Sequence, residues 1–294
     1  MRNVQAARFG VASLLLALAV GACQDAAPEA PSGVAWIRSY DAALADAKKE
    51  SRPVLLDFYT DWCGWCKRLD DSTFVDSAFA DYSRKFTMAR VNAEVDTVTA
   101  AKFRVKSYPT ILVLRPDGTE IDRLVGYSRP PEFMAEVESY LAGKNTLAAM
   151  EAEVPTKGND AAFVYKLAEK YYGHGLFEEA RSEYLKFADL DPMNQSGNVD
   201  DALYTLARMH RKTQDYANDR KYAQVIIDKY PDSDMFRPAH LEIAGAWRRQ
   251  GEWTTARRLY LGYAKRFPDD EDAPFAREQA DTLAVRIAAA GKGA

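Results

Sequence analysis

The chain has 294 residues, 47% of them apolar and 28% charged, with a formal net charge of -4. Such a length exceeds that of a usual compact domain and leaves chain enough for two cores. The acidic balance excludes the electrostatic footprint of a nucleic-acid-binding protein, and the ordinary apolar fraction excludes a disordered or fibrous chain.

Arg2 and Arg8 precede an apolar run, Val11 to Val20, and Gly21-Ala22-Cys23 follows, so residues 1–22 read as a secretory signal. The run is too short to cross a bilayer, which takes roughly 20 apolar residues. No transmembrane segment is expected in the processed protein. Val20-Gly21-Ala22-Cys23 resembles the bacterial lipobox. The resemblance implies cleavage before Cys23, its lipidation, and anchoring at the periplasmic face of a bacterial cell envelope, on the inner or outer membrane. Gln24, in place of Asp, leans towards the outer membrane. An ordinary signal cleaved after Ala22 is the alternative. Residues 23–33, rich in Ala, Pro and Glu, read as a tether.

Of three cysteines, lipidation of Cys23 leaves one pair, Cys63 and Cys66, and nothing for a structural bridge. In an exported chain of this size such a pair points to chemistry rather than stapling. Trp36, Tyr40, Ala43, Leu44 and Ala47 fall at helical spacing, and Pro53 stops that helix. Val54 to Tyr59 reads as a strand, and the next helix opens at the cysteines and carries Leu69. Phe86 to Asn92 alternates as a strand, and Ala100 to Val105 is a helical turn leading into Tyr108-Pro109. Ile111 to Leu114 and Glu120 to Val125 form a hairpin around Pro116-Asp117-Gly118. Gly126 and Pro130-Pro131 lead into an amphipathic helix, Glu132 to Leu141.

Over residues 34–145 the chain resembles the thioredoxin superfamily. Cys63-Gly64-Trp65-Cys66 follows a strand and opens a helix, Asp57 lies six residues before Cys63, Trp62 precedes it, and Tyr108-Pro109 stands before the hairpin. The resemblance implies an α/β thioredoxin fold, a central mixed sheet flanked by helices, and a protein disulfide oxidoreductase needing no cofactor. It matches Asp57 to the family's buried acid, Tyr108-Pro109 to its cis-proline dipeptide, and Gly126 to the glycine after the hairpin.

The physics agrees. A helix N-terminus stabilises a thiolate, so Cys63 is the expected attacking, solvent-facing sulfur and the more buried Cys66 the resolving one. Burial of Asp57 would raise its pKa and let it take the proton leaving Cys66. Pro109 would keep a donor N–H away from the sulfurs and leave the Tyr108 backbone free for an extended peptide, while Trp62 and Trp65 form an apolar rim for substrate. A zinc reading of Cys-x-x-Cys lacks its other half, so no metal site is expected. The segment Ala47 to Phe58 looks like the thioredoxin domains of membrane-linked periplasmic reductases, which favours reduction as the direction.

Residues 146–158 read as a linker and residues 159–291 as an all-α repeat domain. Leu167-Ala168, Phe177 and Pro192 recur as Leu206-Ala207, Tyr216 and Pro231, then as Ile243-Ala244, Trp253 and Pro268, at spacings of 39 and 37. These repeats resemble tetratricopeptide repeats, most clearly the first and third copies; the middle one departs at Asp219 and Ala223. The run Lys229 to Asp234 is like those of envelope lipoproteins that scaffold assembly. His174, His210 and His240 share no spacing and read as ordinary residues.

Two functional readings result. In the first, the chain is an exported, membrane-tethered thiol-disulfide oxidoreductase, fed by a thiol electron donor, whose repeats bind a protein partner. In the second, it is an envelope interaction scaffold whose thioredoxin domain serves mainly for docking.

Overall fold

The computed structural model describes residues 33–291, so the signal, Cys23 and nearly all of the tether lie outside the described residues. Ser39 accepts the Ala42 N–H and so caps α1 (Tyr40–Glu50), which β1 (Val54–Tyr59) follows. The first unit continues through α2 (Gly64–Asp70), α3 (Ser77–Ser83), β2 (Thr87–Asn92), α4 (Thr97–Lys102), β3 (Thr110–Leu114), β4 (Glu120–Val125) and α5 (Pro130–Leu141).

The four strands form one mixed sheet in the order β2-β1-β3-β4, with β1 parallel to β2 and β3 antiparallel to β1 and β4. Side chains of β1 alternate between two cores. Val54, Leu56 and Phe58 pack with Ala43 and Ala47 of α1 and with Phe103, whereas Leu55 packs with Leu69, Phe79 and Phe133. By the same alternation Asp57 faces the side that carries α2, and its register partners are Arg90 and Ile111.

Trp36 is not helical. The cap at Ser39 starts α1 later, and Ile37 instead pairs with the outer edge of β2, exchanging hydrogen bonds of 2.9 Å with Met88 O and Arg90 N–H. Helix α3, absent from the sequence reading, begins at its Asp76 cap and buries Phe79 and Tyr82. Helix α5 starts at Pro130 rather than Glu132, because a first turn has no use for the N–H that proline lacks.

The segment read as a linker is largely helical: Thr146 caps α6 (Leu147–Lys157) by accepting the Ala149 N–H, even with Pro155 inside it. Beyond it run α7 (Ala161–Gly173), α8 (Phe177–Leu190), α9 (Val199–Lys212), α10 (Tyr216–Lys229), α11 (Phe236–Arg249), α12 (Trp253–Arg266) and α13 (Ala273–Ala290). The repeat register is physical: Phe177, Tyr216 and Trp253 each open the second helix of a pair. Leu167-Ala168, Leu206-Ala207 and Ile243-Ala244 are buried in the first helices. Ala180, Asp219 and Ala256 occupy equivalent places and are all fully buried, so the middle repeat carries a carboxyl where its neighbours carry a methyl. Helix α13 covers the last pair, with Ala276, Ala280 and Leu283 against Tyr260. Among the described residues no helix is long and apolar enough to cross a membrane.

The two units meet at Asp122 of β4, which is completely buried. Its Oδ2 accepts the Leu147 N–H at 2.6 Å, and its Oδ1 lies 2.9 Å from His174 Nε2 and 3.2 Å from Lys170 Nζ. Lys170 also donates to the Tyr140 hydroxyl at 2.6 Å. His174 is therefore not an ordinary surface or core residue but a contact between the units. Burial works to raise the Asp122 carboxyl, yet the His174 hydrogen bond and the Lys170 charge hold it below the usual range.

Candidate active site

Helix α2 is built around its first cysteine. Cys63 is the N-cap, its Sγ accepts the Cys66 N–H at 3.0 Å and its carbonyl accepts the Lys67 N–H at 3.2 Å. The sulfur thus sits at the positive end of the helix, against a free backbone donor. Cys63 and Cys66 are joined as a disulfide, with Cα atoms 5.3 Å apart. Cys63 is 4% and Cys66 2% exposed, so in the oxidised state both sulfur residues are covered and the expected contrast between them is slight.

Exposed aromatic side chains adjoin the pair in sequence. Trp62 and Trp65 are 67% and 63% exposed, an unusual placement for so much apolar surface. Both are held by contacts that the sequence did not reveal. Trp62 Nε1 donates to Glu94 Oε1 at 2.8 Å and its ring meets Tyr108 edge-on at 6.0 Å, while Trp65 stacks on Tyr127 at 5.9 Å.

The Tyr108-Pro109 peptide bond is cis. The Pro109 carbonyl accepts the Gly126 N–H at 2.9 Å, tying this segment to the end of β4. Gly126 has φ of +87°, a backbone conformation that a side chain would strain. Among the described residues no hydrogen bond uses the Tyr108 N–H or carbonyl, which leaves backbone groups for an extended chain to pair with.

Asp57 is 1% exposed, and burial pushes its carboxyl up to about 7 although the Arg90 charge opposes that shift. Arg90 Nε lies 3.0 Å from Asp57 Oδ2 but off the line of a hydrogen bond, so neither carboxylate oxygen has a hydrogen-bond donor. Arg90 spends its terminal nitrogen on Asp70 Oδ2 at 2.9 Å and lies over the Tyr59 ring, 4.3 Å from its centroid. The sequence reading found Asp57 and missed Arg90 and Asp70; the alternation that places Met88 inward places Arg90 inward too, and that was the available signal. Among the described residues no group of three or more His, Cys, Asp or Glu could hold a metal ion.

Residues 36–139 match the thioredoxin family model, and residues 201–233 match a tetratricopeptide repeat model. The second match falls in the middle repeat, the copy that carries Asp219. Over 92 residues the chain is 38% identical to a thioredoxin of Staphylococcus aureus, a stretch covering 31% of this chain and 85% of the relative. Among solved structures, a poplar thioredoxin h is 25% identical, covering 37% of this chain and 97% of that one with a TM-score of 0.33. A thioredoxin from Thermus thermophilus is also 25% identical, over 37% of this chain and 87% of its own, with a TM-score of 0.34.

Fold and site together define a thiol-disulfide oxidoreductase domain joined to helical repeats. The chain belongs to the thioredoxin family.

Proposed function

We propose that the protein reduces disulfides in other proteins at the periplasmic face of a bacterial envelope, held there by a lipid on Cys23. The observation that carries the redox part is a disulfide-forming cysteine pair at a helix N-terminus, flanked in sequence by two exposed tryptophans, in a domain that also holds a cis proline. In the reduced protein the Cys63 thiolate attacks a substrate disulfide, forming a mixed disulfide and expelling one substrate thiolate. Cys66, its proton passed to the Asp57 carboxylate, attacks Cys63 Sγ and expels the second thiolate. Two electrons have moved to the substrate, and the Cys63–Cys66 disulfide awaits a thiol donor. Trp62, Trp65 and the Tyr108 backbone hold the substrate segment.

The repeats bind a protein partner, a role that concave helical arrays commonly serve. The anchor, the compartment and the direction of electron flow rest on the sequence pattern around Cys23 and before Cys63.

Trapping tests the enzyme reading. With Cys66→Ala expressed in its own cell, Cys63 should accumulate mixed disulfides with envelope proteins, released by dithiothreitol. Absence of adducts, together with no reduction of disulfides by the wild-type protein, refutes it in favour of a docking module. Labelling with a radioactive fatty acid, lost in Cys23→Ser, tests the anchor.

A further inference from the structure

The helical repeats touch the thioredoxin unit through the turn between α7 and α8, next to the segments that lead into Tyr108 and out of β4. A Cβ placed on Gly173 would lie 3.2 Å from Val125 Cγ2. Val125 is the cross-strand partner of Thr110, the residue after Pro109, and it precedes Gly126, which bonds the Pro109 carbonyl. Two residues along the turn, a Cβ on Gly175 would lie 3.4 Å from Lys106 Cγ and 3.5 Å from the Arg104 carbonyl, on the segment entering Tyr108. The turn therefore flanks both stretches of chain that build the Pro109 side of the groove.

This position is fixed rather than loose. Between those glycines stands His174, bonded to buried Asp122, and one turn earlier on α7 stands Lys170, bonded to the same carboxylate. A ligand segment crossing Pro109 and Gly126 in extended form advances about 3.3 Å per residue, so one that runs towards the turn meets it within a few residues.

The acids beside the turn are engaged, Glu136 with Lys170 and Glu169 with the Tyr184 hydroxyl, whereas three cations there are without a carboxylate. Arg104, Lys106 and Lys212 are exposed, and none forms an ion pair among the described residues. Lys212, at the end of α9, lies 5.5 Å from the Phe177 ring centroid and 5.6 Å from that of Tyr172, over the same turn. Glu178, an acid at the start of α8, is already paired with Arg181.

We propose that this turn and its cations belong to the substrate site, and that the chain selects disulfide-bearing protein segments with acidic residues beside the reacting cystine. The selection rests on the redox reading of Cys63 and Cys66 given above. It adds to that reading a recognition surface shared by both units.

The test uses the full chain, reduced with dithiothreitol and freed of it. Two disulfide peptides identical except for flanking Asp or flanking Lys residues are compared, and the ratio of their second-order reduction rates is read at low and high salt. Hydroxyethyl disulfide, small and neutral, is reduced by the wild-type protein as the control on the redox reading. The expected ratio favours the acidic peptide by roughly tenfold at low salt and shrinks as salt screens the charges. Lys106→Glu and Lys212→Glu should each bring it about threefold or more towards one. A wild-type ratio of one, or a ratio untouched by Lys212→Glu, overturns the inference while hydroxyethyl disulfide reduction leaves the oxidoreductase standing. Failure to reduce any of the three disulfides overturns both.

Discussion

Asp57 and Asp122 are both strand aspartates of the same sheet, both with almost no exposure, and they behave in opposite ways. Asp122 receives the Leu147 N–H, the His174 ring and the Lys170 ammonium, and stays ionised well into the acid range. Asp57 has one misaligned guanidinium beside it and no hydrogen-bond donor, and burial pushes it up to about 7. A buried carboxylate whose lone pairs are filled is an anchor; one left unfilled is a group that can take and give a proton near neutrality. Asp219 of the repeats belongs with Asp57 in this respect. Both its oxygens lack a partner and burial, with Glu242 nearby, pushes it up to about 7 as well.

The largest effect expected is loss of all disulfide exchange in Cys63→Ser, measured as rates of substrate reduction, with folding retained by circular dichroism. Next, Asp122→Ala leaves Lys170 and His174 facing each other without their carboxylate. It should cost about 3–5 kcal/mol in denaturant unfolding, as loss of one partner of a buried ion pair does. A cost below about 1 kcal/mol would remove Asp122 from the anchor class.

Asp57→Asn should slow resolution of the mixed disulfide by roughly 100-fold while leaving its formation nearly unchanged. In wild-type protein the resolution rate should rise with pH through about 7, following the Asp57 carboxyl, and the variant should lose that rise. An unchanged pH profile would place the proton transfer elsewhere.

The last effect is read over a pH range and concerns Asp219, and its sign is opposite to that of Asp122. Its folded pKa lies above the unfolded 3.8, so its favourable contribution is full below about 4 and is lost as pH rises to about 7. Over that window the repeats should lose up to about 1.4 kcal/mol of stability per pH unit. Asp219→Asn should abolish the slope and melt higher than wild type at pH 8, read by thermal unfolding of the repeats.

The same contrast marks what could be read in the sequence. The residues that share a short stretch of chain were legible: the cysteine pair and its helix, the strand of Asp57, the turn before Glu120, and the repeat register at Phe177, Tyr216 and Trp253. Partners brought in from a distance were not, because neither periodicity nor motif spacing encodes them. Arg90 meets Asp57 across the parallel pairing of β1 and β2, and His174 meets Asp122 across 52 residues. Residues 146–158 read as a linker in the sequence, whereas the Thr146 cap and the Asp122 bond to the Leu147 N–H make most of that stretch α6.

The central claim is that Cys63 holds its negative charge at the start of α2. Alkylation of the reduced protein by iodoacetamide across pH, with each cysteine identified by peptide mass, tests it most directly. Cys63 should react alone, with a midpoint well below the free-thiol value of about 8.5. Equal reaction of Cys63 and Cys66 with midpoints at or above that value would contradict it.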